Sequence, residues 1–505
     1  MTRSKIILLL ALVVLGACKE KERVLPDIEP DPEKPTPRYA TGQSFRSNLL
    51  GTTIPYDILV PDGYAFDTEK SYPVVYCFHG YGDNNTSWND EYMRIQAKVE
   101  SLEARGMIPP MIYVFPMGFK TYFCDRWDGY YPYMTMFATE FVPMVDRMYR
   151  TVADRDHRTV IGYSMGAFGA IATAMQHPEL FSSCGAMSIS MRTDEQYKTE
   201  SQGAFDNQWG SIFGAAGSTG SARLTEYYKS ICPLHQFTEA NKDKYSSVNY
   251  FITCGDNEKS LLYGNDELHA KMVEAGYDHE YRVGDGGHDA GYWRPALDEI
   301  LPWFVYLMNG GTDWEHKTRD VEVPAGCEFQ ADGAFLSQGY VNAGKTEGTA
   351  IYLFHKNREE DLIKDAMAIL QRSNSLKKYI ILPCDVSVKS VADWTDSWES
   401  SYTVTARQAI AVGEAGTALV QNQSPFSHLY FENAVIEGDI QANLAAKYYI
   451  GHSDNSHSAM STHALYVACK DAGADFEYRC RDHVKDARED FLMGFEYIKG
   501  NLKGL

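Results

Sequence analysis

The pentapeptide Gly162-Tyr163-Ser164-Met165-Gly166 constrains this chain more than any other feature. It follows a strand-like run, His157 to Gly162, and opens a helix-like run, Gly166 to His177, that ends near Pro178. A serine at such a junction, with a glycine two residues to either side, can occupy a sharp turn that side chains at the glycine positions would obstruct. The turn lifts the serine oxygen at the carboxyl end of its strand, above a helix N-terminus that favours a developing anion. The pattern therefore predicts a nucleophile, Ser164, on a strand–turn–helix unit.

The neighbouring segments fit one sheet. The stretch from about Gln43 to Tyr64 has β-branched residues and turn punctuation, and reads as a β-hairpin. Short apolar runs at 73–78, 111–115 and 249–253, with a shorter one at 281–283, read as buried strands. Segments 92–105, 139–149 and 267–275 read as helices. Strands alternating with helices predict a mostly parallel sheet with helices on both faces, the α/β-hydrolase class.

A serine needs a base, and in this fold the base comes last in chain order. His288, in Asp285-Gly286-Gly287-His288-Asp289, follows the last strand and is the choice. His157 and His177 flank the far ends of the nucleophile strand and helix; His269 and His279 read as surface positions on and just after a helix. The acid should follow the strand after the elbow, three residues past a glycine. In Gly255-Asp256-Asn257-Glu258 that residue is Glu258, with Asp256 as the alternative, able instead to cap the turn. The oxyanion hole needs two backbone amides. They are assigned to Met165, next to the nucleophile, and to Tyr81 in the loop His79-Gly80-Tyr81-Gly82, with Gly80 second. The aromatic cluster from Cys124 to Tyr133, with Trp127 and Tyr130, is a candidate substrate contact or a packed loop.

The second half repeats the first. Ala350–His355 matches Val74–His79, Tyr379–Pro383 matches Ile112–Pro116, and the run from Tyr448 matches that from Tyr250. Glu477-Tyr478-Arg479 matches Glu280-Tyr281-Arg282. Alignment puts Gly413 opposite Ser164 and Ser456 opposite Glu258, while Asp454 matches Asp256. The glycine-bearing loop becomes His355-Lys356-Asn357-Arg358, and His483 falls near the place of His288. The expectation is a duplicated α/β-hydrolase fold: a catalytic domain over residues 43–308, an inter-domain segment over 309–348, and a degenerate, inactive copy over 349–505.

The chain opens on Arg3 and Lys5, an apolar run from Ile6 to Leu15, and Leu15-Gly16-Ala17-Cys18. That order resembles a bacterial lipoprotein signal over residues 1–18, with cleavage before Cys18 and lipidation of Cys18. Residues 19–42, charged and proline-rich, read as a tether. The expected location is the bacterial cell envelope, lipid-anchored at the outer membrane and exposed at the surface, with the membrane as partner through the anchor only. A formal net charge of −21 repels phosphate backbones, so nucleic-acid binding is excluded. The ten cysteines show no C-x-x-C or Cys/His spacing for a metal, and none is expected.

Residues 43–308 resemble the esterase-D-like hydrolases of carbohydrate esterase family 1, the feruloyl and acetyl-xylan esterases. The resemblance is carried by PVVYCFHGYG, GYSMGAFGA, FITCGDNE and YRVGDGGHDAGYW. It implies cofactor-free hydrolysis of feruloyl or acetyl esters on plant polysaccharides such as xylan, with that ester-bearing glycan as partner. Glu258 departs from the aspartate common in the family. Two other readings stand beside it: a short-chain acyl esterase or acyltransferase of the same fold, and a glycan-binding surface lipoprotein with a vestigial esterase fold.

Overall fold

The computed structural model describes residues 38–258, 260–312, 314, 335–336, 347–356, 379–453, 458–481, 494–495 and 497. The signal and Cys18, most of the tether, Asn357 and Arg358, Asp454, Ser456 and His483 lie outside the described residues.

Among the described residues the first half contributes eight strands: β1 (Tyr39–Arg46), β2 (Thr53–Leu59), β3 (Val74–Phe78), β4 (Ile112–Pro116), β5 (Arg158–Tyr163), β6 (Ser183–Met187), β7 (Asn249–Gly255) and β8 (Glu280–Gly284). The second half contributes β9 (Phe335–Leu336), β10 (Glu347–His355), β11 (Tyr379–Asp385), β12 (Thr403–Val412), β13 (His428–Glu432), β14 (Lys447–His452) and β15 (Asp475–Arg481). All fifteen form one sheet, in the order β1-β2-β4-β3-β5-β6-β7-β8-β15-β14-β13-β12-β10-β11-β9. From β4 to β8, and from β11 to β15, every neighbouring pair is parallel. The two series share one strand order, and they meet where their last strands pair antiparallel, Val283 opposite Cys480 and Arg282 opposite Arg481.

The predicted α/β-hydrolase class, a mostly parallel sheet with helices on both faces, therefore holds. Strands β3, β4, β5 and β6 are buried at every residue, as expected of strands covered on both faces. Helix α1 (Ile95–Ala104) covers one face of the first half, and α2 (Met165–Gln176) the other; α3 (Ser260–Glu274) joins α2, and α4 (Ala290–Met308) joins α1. In the second half α5 (Ser458–Ala472) packs against β14 and against α3 of the first half.

Three expectations shift. The hairpin starts at Tyr39, inside the segment read as tether, because Tyr39 and Ala40 pair with Leu59 and Ile58 past an irregularity at Gln43. Strand β6 escapes an apolar-run search because it is Ser-Cys-Gly-Ala-Met: its small residues let α4 approach, and a methyl at Gly185 would sit 3.0 Å from Ile300. His269, on α3, and His279, just after it, are buried, not at the surface. No disulfide joins the eight cysteines among the described residues, and all eight are buried.

Candidate active site

The elbow is built as its glycines require. Ser164 has φ 56° and ψ −119°, a region that costs a non-glycine residue ~1–3 kcal/mol. A methyl at Gly162 would stand 2.2 Å from the Gly166 backbone, and one at Gly166 would stand 2.2 Å from the Phe78 carbonyl oxygen. Only hydrogen fits at either position. The turn is tied down by the Ser164 N–H donating to Met187 (2.9 Å) and the Ser164 carbonyl accepting from Ser190 (3.0 Å).

His288 reaches this serine from the loop after β8: its Nε2 lies 2.9 Å from Ser164 Oγ. Its Nδ1 donates to Glu258 Oε2 at 2.7 Å, which leaves a lone pair on Nε2 toward the serine. Glu258 has a fully buried side chain. Its other oxygen, Oε1, accepts from the Gly255 N–H at 2.9 Å and from the Ser188 hydroxyl. Ser188 in turn accepts from the Trp293 indole at 2.7 Å, and that indole meets the His288 ring edge-on, centroids 5.0 Å apart. Tyr163 stacks on the other side of Trp293 at 4.6 Å. The imidazole is thus gripped by a carboxylate at one end and an aromatic wall along its flank.

Asp256, the alternative acid, points elsewhere. Its Oδ1 accepts from the Gly286 N–H at 3.2 Å, and its Oδ2 takes the Arg479 guanidinium of the second half at 2.5 Å. It links the acid loop to the histidine loop, which also touch through the Asn257 N–H donating to the Gly286 carbonyl at 2.9 Å.

Met165 is the first residue of α2, so its amide has no helical carbonyl one turn back. Tyr81 sits in a loop organised by His79. The His79 Nδ1 donates to the Gly80 carbonyl at 2.8 Å, and Nε2 accepts from the Gly118 N–H at 2.9 Å. The Gly80 carbonyl and the Tyr81 N–H belong to one planar peptide and point in opposite directions, so pinning the carbonyl fixes the amide. Burial lowers the His79 pKa to about 4, which keeps the ring in the neutral form this arrangement needs.

Trp127 and Tyr130 are 52% and 79% exposed. Trp127 packs near Gly214, and the Arg126 guanidinium lies over the Tyr130 ring. Among the described residues neither has a hydrogen bond or ring contact to Ser164, Glu258 or His288. Sequence reasoning missed Ser188, Trp293, His79 as an organiser, and Arg479. His79, between the end of β3 and Gly80, was the one local signal available.

Among the described residues of the second half, the position aligned with Ser164 carries no hydroxyl. β12 ends at Val412, and Gly413 follows with φ 53°, close to the 56° of Ser164. The glycine keeps the turn and lacks the hydroxyl.

The sequence profile of a family described as putative esterase matches residues 47–304. An esterase of Mycobacterium tuberculosis is 25% identical over 274 residues, which cover 50% of this chain and 56% of the relative. An endo-1,4-beta-xylanase/feruloyl esterase of Xylanibacter ruminicola is 28% identical over 165 residues, covering 31% of this chain and 22% of the relative. A solved ferulic acid esterase is 29% identical and covers 53% of this chain and 98% of its own, with a TM-score of 0.45. The chain thus spans about half the length of the first of these curated relatives and less of the second. With more than half of its length matched, and with the serine, histidine and carboxylate all inside the matched region, the chain belongs to the putative esterase family.

Proposed function

We propose that this chain is a serine hydrolase of carboxylic esters, acting on feruloyl or acetyl groups of plant cell-wall polysaccharides such as xylan. One observation carries the chemistry: the unbroken chain from Ser164 Oγ to His288 Nε2 (2.9 Å) and from His288 Nδ1 to Glu258 (2.7 Å). Ser164 attacks the ester carbonyl as His288 takes its proton. The Met165 and Tyr81 amides receive the oxyanion, and His288 then protonates the leaving alkoxide. Water, deprotonated by the same imidazole, releases the acid from the acyl-enzyme. Glu258 holds the imidazole tautomer and faces its positive charge in both transition states. The carbohydrate ester as substrate is supported by the xylanase/feruloyl esterase relative.

The second half is a degenerate copy of the first that has lost its nucleophile, a reading supported by the common strand order and by Gly413 at the elbow position. Cys18 anchors the chain to the cell envelope through lipid; incorporation of labelled fatty acid, lost in Cys18→Ser, tests that anchor. Hydrolysis of methyl ferulate and of acetylated xylan by the full chain, beside p-nitrophenyl butyrate, tests the substrate class. A preference for butyrate over both would favour a general acyl esterase.

A further inference from the structure

Where the two halves meet, a second cluster of chemistry lies buried, apart from the triad. His452 ends β14 and Cys480 lies on β15, and the two are direct partners in the parallel register, so their side chains stand side by side on one face of the sheet. His269, from α3 of the first half, completes the group: one ligand atom from each of the three residues lies within 4.8 Å of the others, and all three are buried. The His269 and His452 rings are 5.6 Å apart, centroid to centroid.

The hydrogen bonds around His269 select its tautomer. His279 Nδ1 lies 3.0 Å from the Tyr277 carbonyl, an acceptor only, so Nδ1 carries the proton. In that tautomer His279 accepts at Nε2, and His269 Nδ1, 2.9 Å away, is the donor. The His269 proton is thereby held at Nδ1, and Nε2 presents a lone pair. An imidazole whose Nδ1–H is held by an outer partner is the form that binds a metal through Nε2. On the same helix, one turn earlier, the buried carboxylate of Asp266 pairs with His463 and accepts from the Tyr478 hydroxyl (2.7 Å), which ties α3 to the second half beside the group.

We propose that His269, His452 and Cys480 bind one zinc ion that clamps the two halves together. Two imidazoles and a thiolate, with no oxygen donor among them, suit Zn2+ rather than Mg2+ or Ca2+, and a water can take the fourth position. On binding, the Cys480 thiol releases its proton to solvent and the sulfur electron pair forms the Zn–S bond; no oxidant or reductant is involved. The ligands are 183 residues apart at their nearest in sequence across the halves, which is why no metal spacing appears in the chain.

The test uses the full chain, purified, stripped with chelator, and titrated with Co2+ and then Zn2+. One equivalent of Co2+ should bind with a thiolate-to-cobalt charge-transfer band, Zn2+ should displace it, and zinc should raise the melting temperature. Cys480→Ser should lose the band. His279→Gln, which leaves all three ligands in place, should weaken Zn2+ binding by about 10–100-fold. Melting curves in chelator, expected to be alike for wild type and His279→Gln, separate loss of metal from loss of fold. Absence of the band in the wild-type chain, or the same band and affinity in Cys480→Ser, overturns the proposal and leaves the group as a buried thiol–imidazole contact.

Discussion

Glu258 and Asp256 lie two residues apart on one turn, yet the structure gives them different work. Glu258 meets His288, and Asp256 meets Gly286 and Arg479. Glu258→Gln should lower kcat by about 10³–10⁴ with KM little changed, because the amide cannot hold the same tautomer. Asp256→Asn should lower kcat far less and reduce stability. Steady-state kinetics on one ester substrate, with chemical denaturation of both variants, separates the two roles; equal losses of kcat would contradict the assignment. His79 adds a pH dependence. Its pKa is lowered from 6.5 to about 4 on folding, so the unfolded chain binds more protons between those values. Stability therefore rises with pH across that window, by about 3 kcal/mol from this residue, and is lost as pH falls toward 4. Denaturation midpoints for wild type and His79→Asn between pH 4 and 6.5 check it: the variant should show a shallower slope.

At the scale of elements, the elbow and its two partner loops were legible in the sequence because each carries a local rule. Glycines mark the turns around Ser164, Glu258 and His288, and strand-like runs precede them. Gly255 follows the same logic, since a methyl there would lie 2.3 Å from the Gly286 carbonyl oxygen. Strand β6 was not legible, because a buried strand of Ser, Cys, Gly, Ala and Met has no apolar signature. Ser188, Trp293 and Arg479 were not legible either. They reach the site through contacts 70 to 223 residues distant, and nothing within their own segments announces those partners. Trp127 and Tyr130, read as a substrate contact or a packed loop, are exposed, and among the described residues neither touches the triad. The loop link predicts that Arg479→Ala, although in the second half, acts on the first. It leaves Asp256 without its buried partner, at a cost of about 3–5 kcal/mol, and loosens the turn that bears Glu258. Thermal unfolding should show the loss, and kcat should fall more than KM changes. An active, fully stable Arg479→Ala chain would mean that the link does nothing.

For the whole molecule, the second half serves as the partner that completes a sheet. Without β15, strand β8 becomes an edge, and α3 loses the α5 face against which it packs. An unprotected parallel edge beside apolar surface favours association. A chain ending at residue 308 should therefore aggregate or melt well below the full chain, as read by size-exclusion chromatography and calorimetry. A monomeric fragment with full stability would show that the halves are independent. The same sheet holds one serine elbow and one glycine elbow, at Ser164 and Gly413. The most direct measurement is active-site labelling of the full chain with a fluorophosphonate, followed by peptide mass spectrometry and ester kinetics. One adduct per chain is expected, on Ser164, with activity lost in step with labelling and absent in Ser164→Ala. An adduct elsewhere with activity lost, or a Ser164→Ala chain that turns over ester as wild type does, would contradict it.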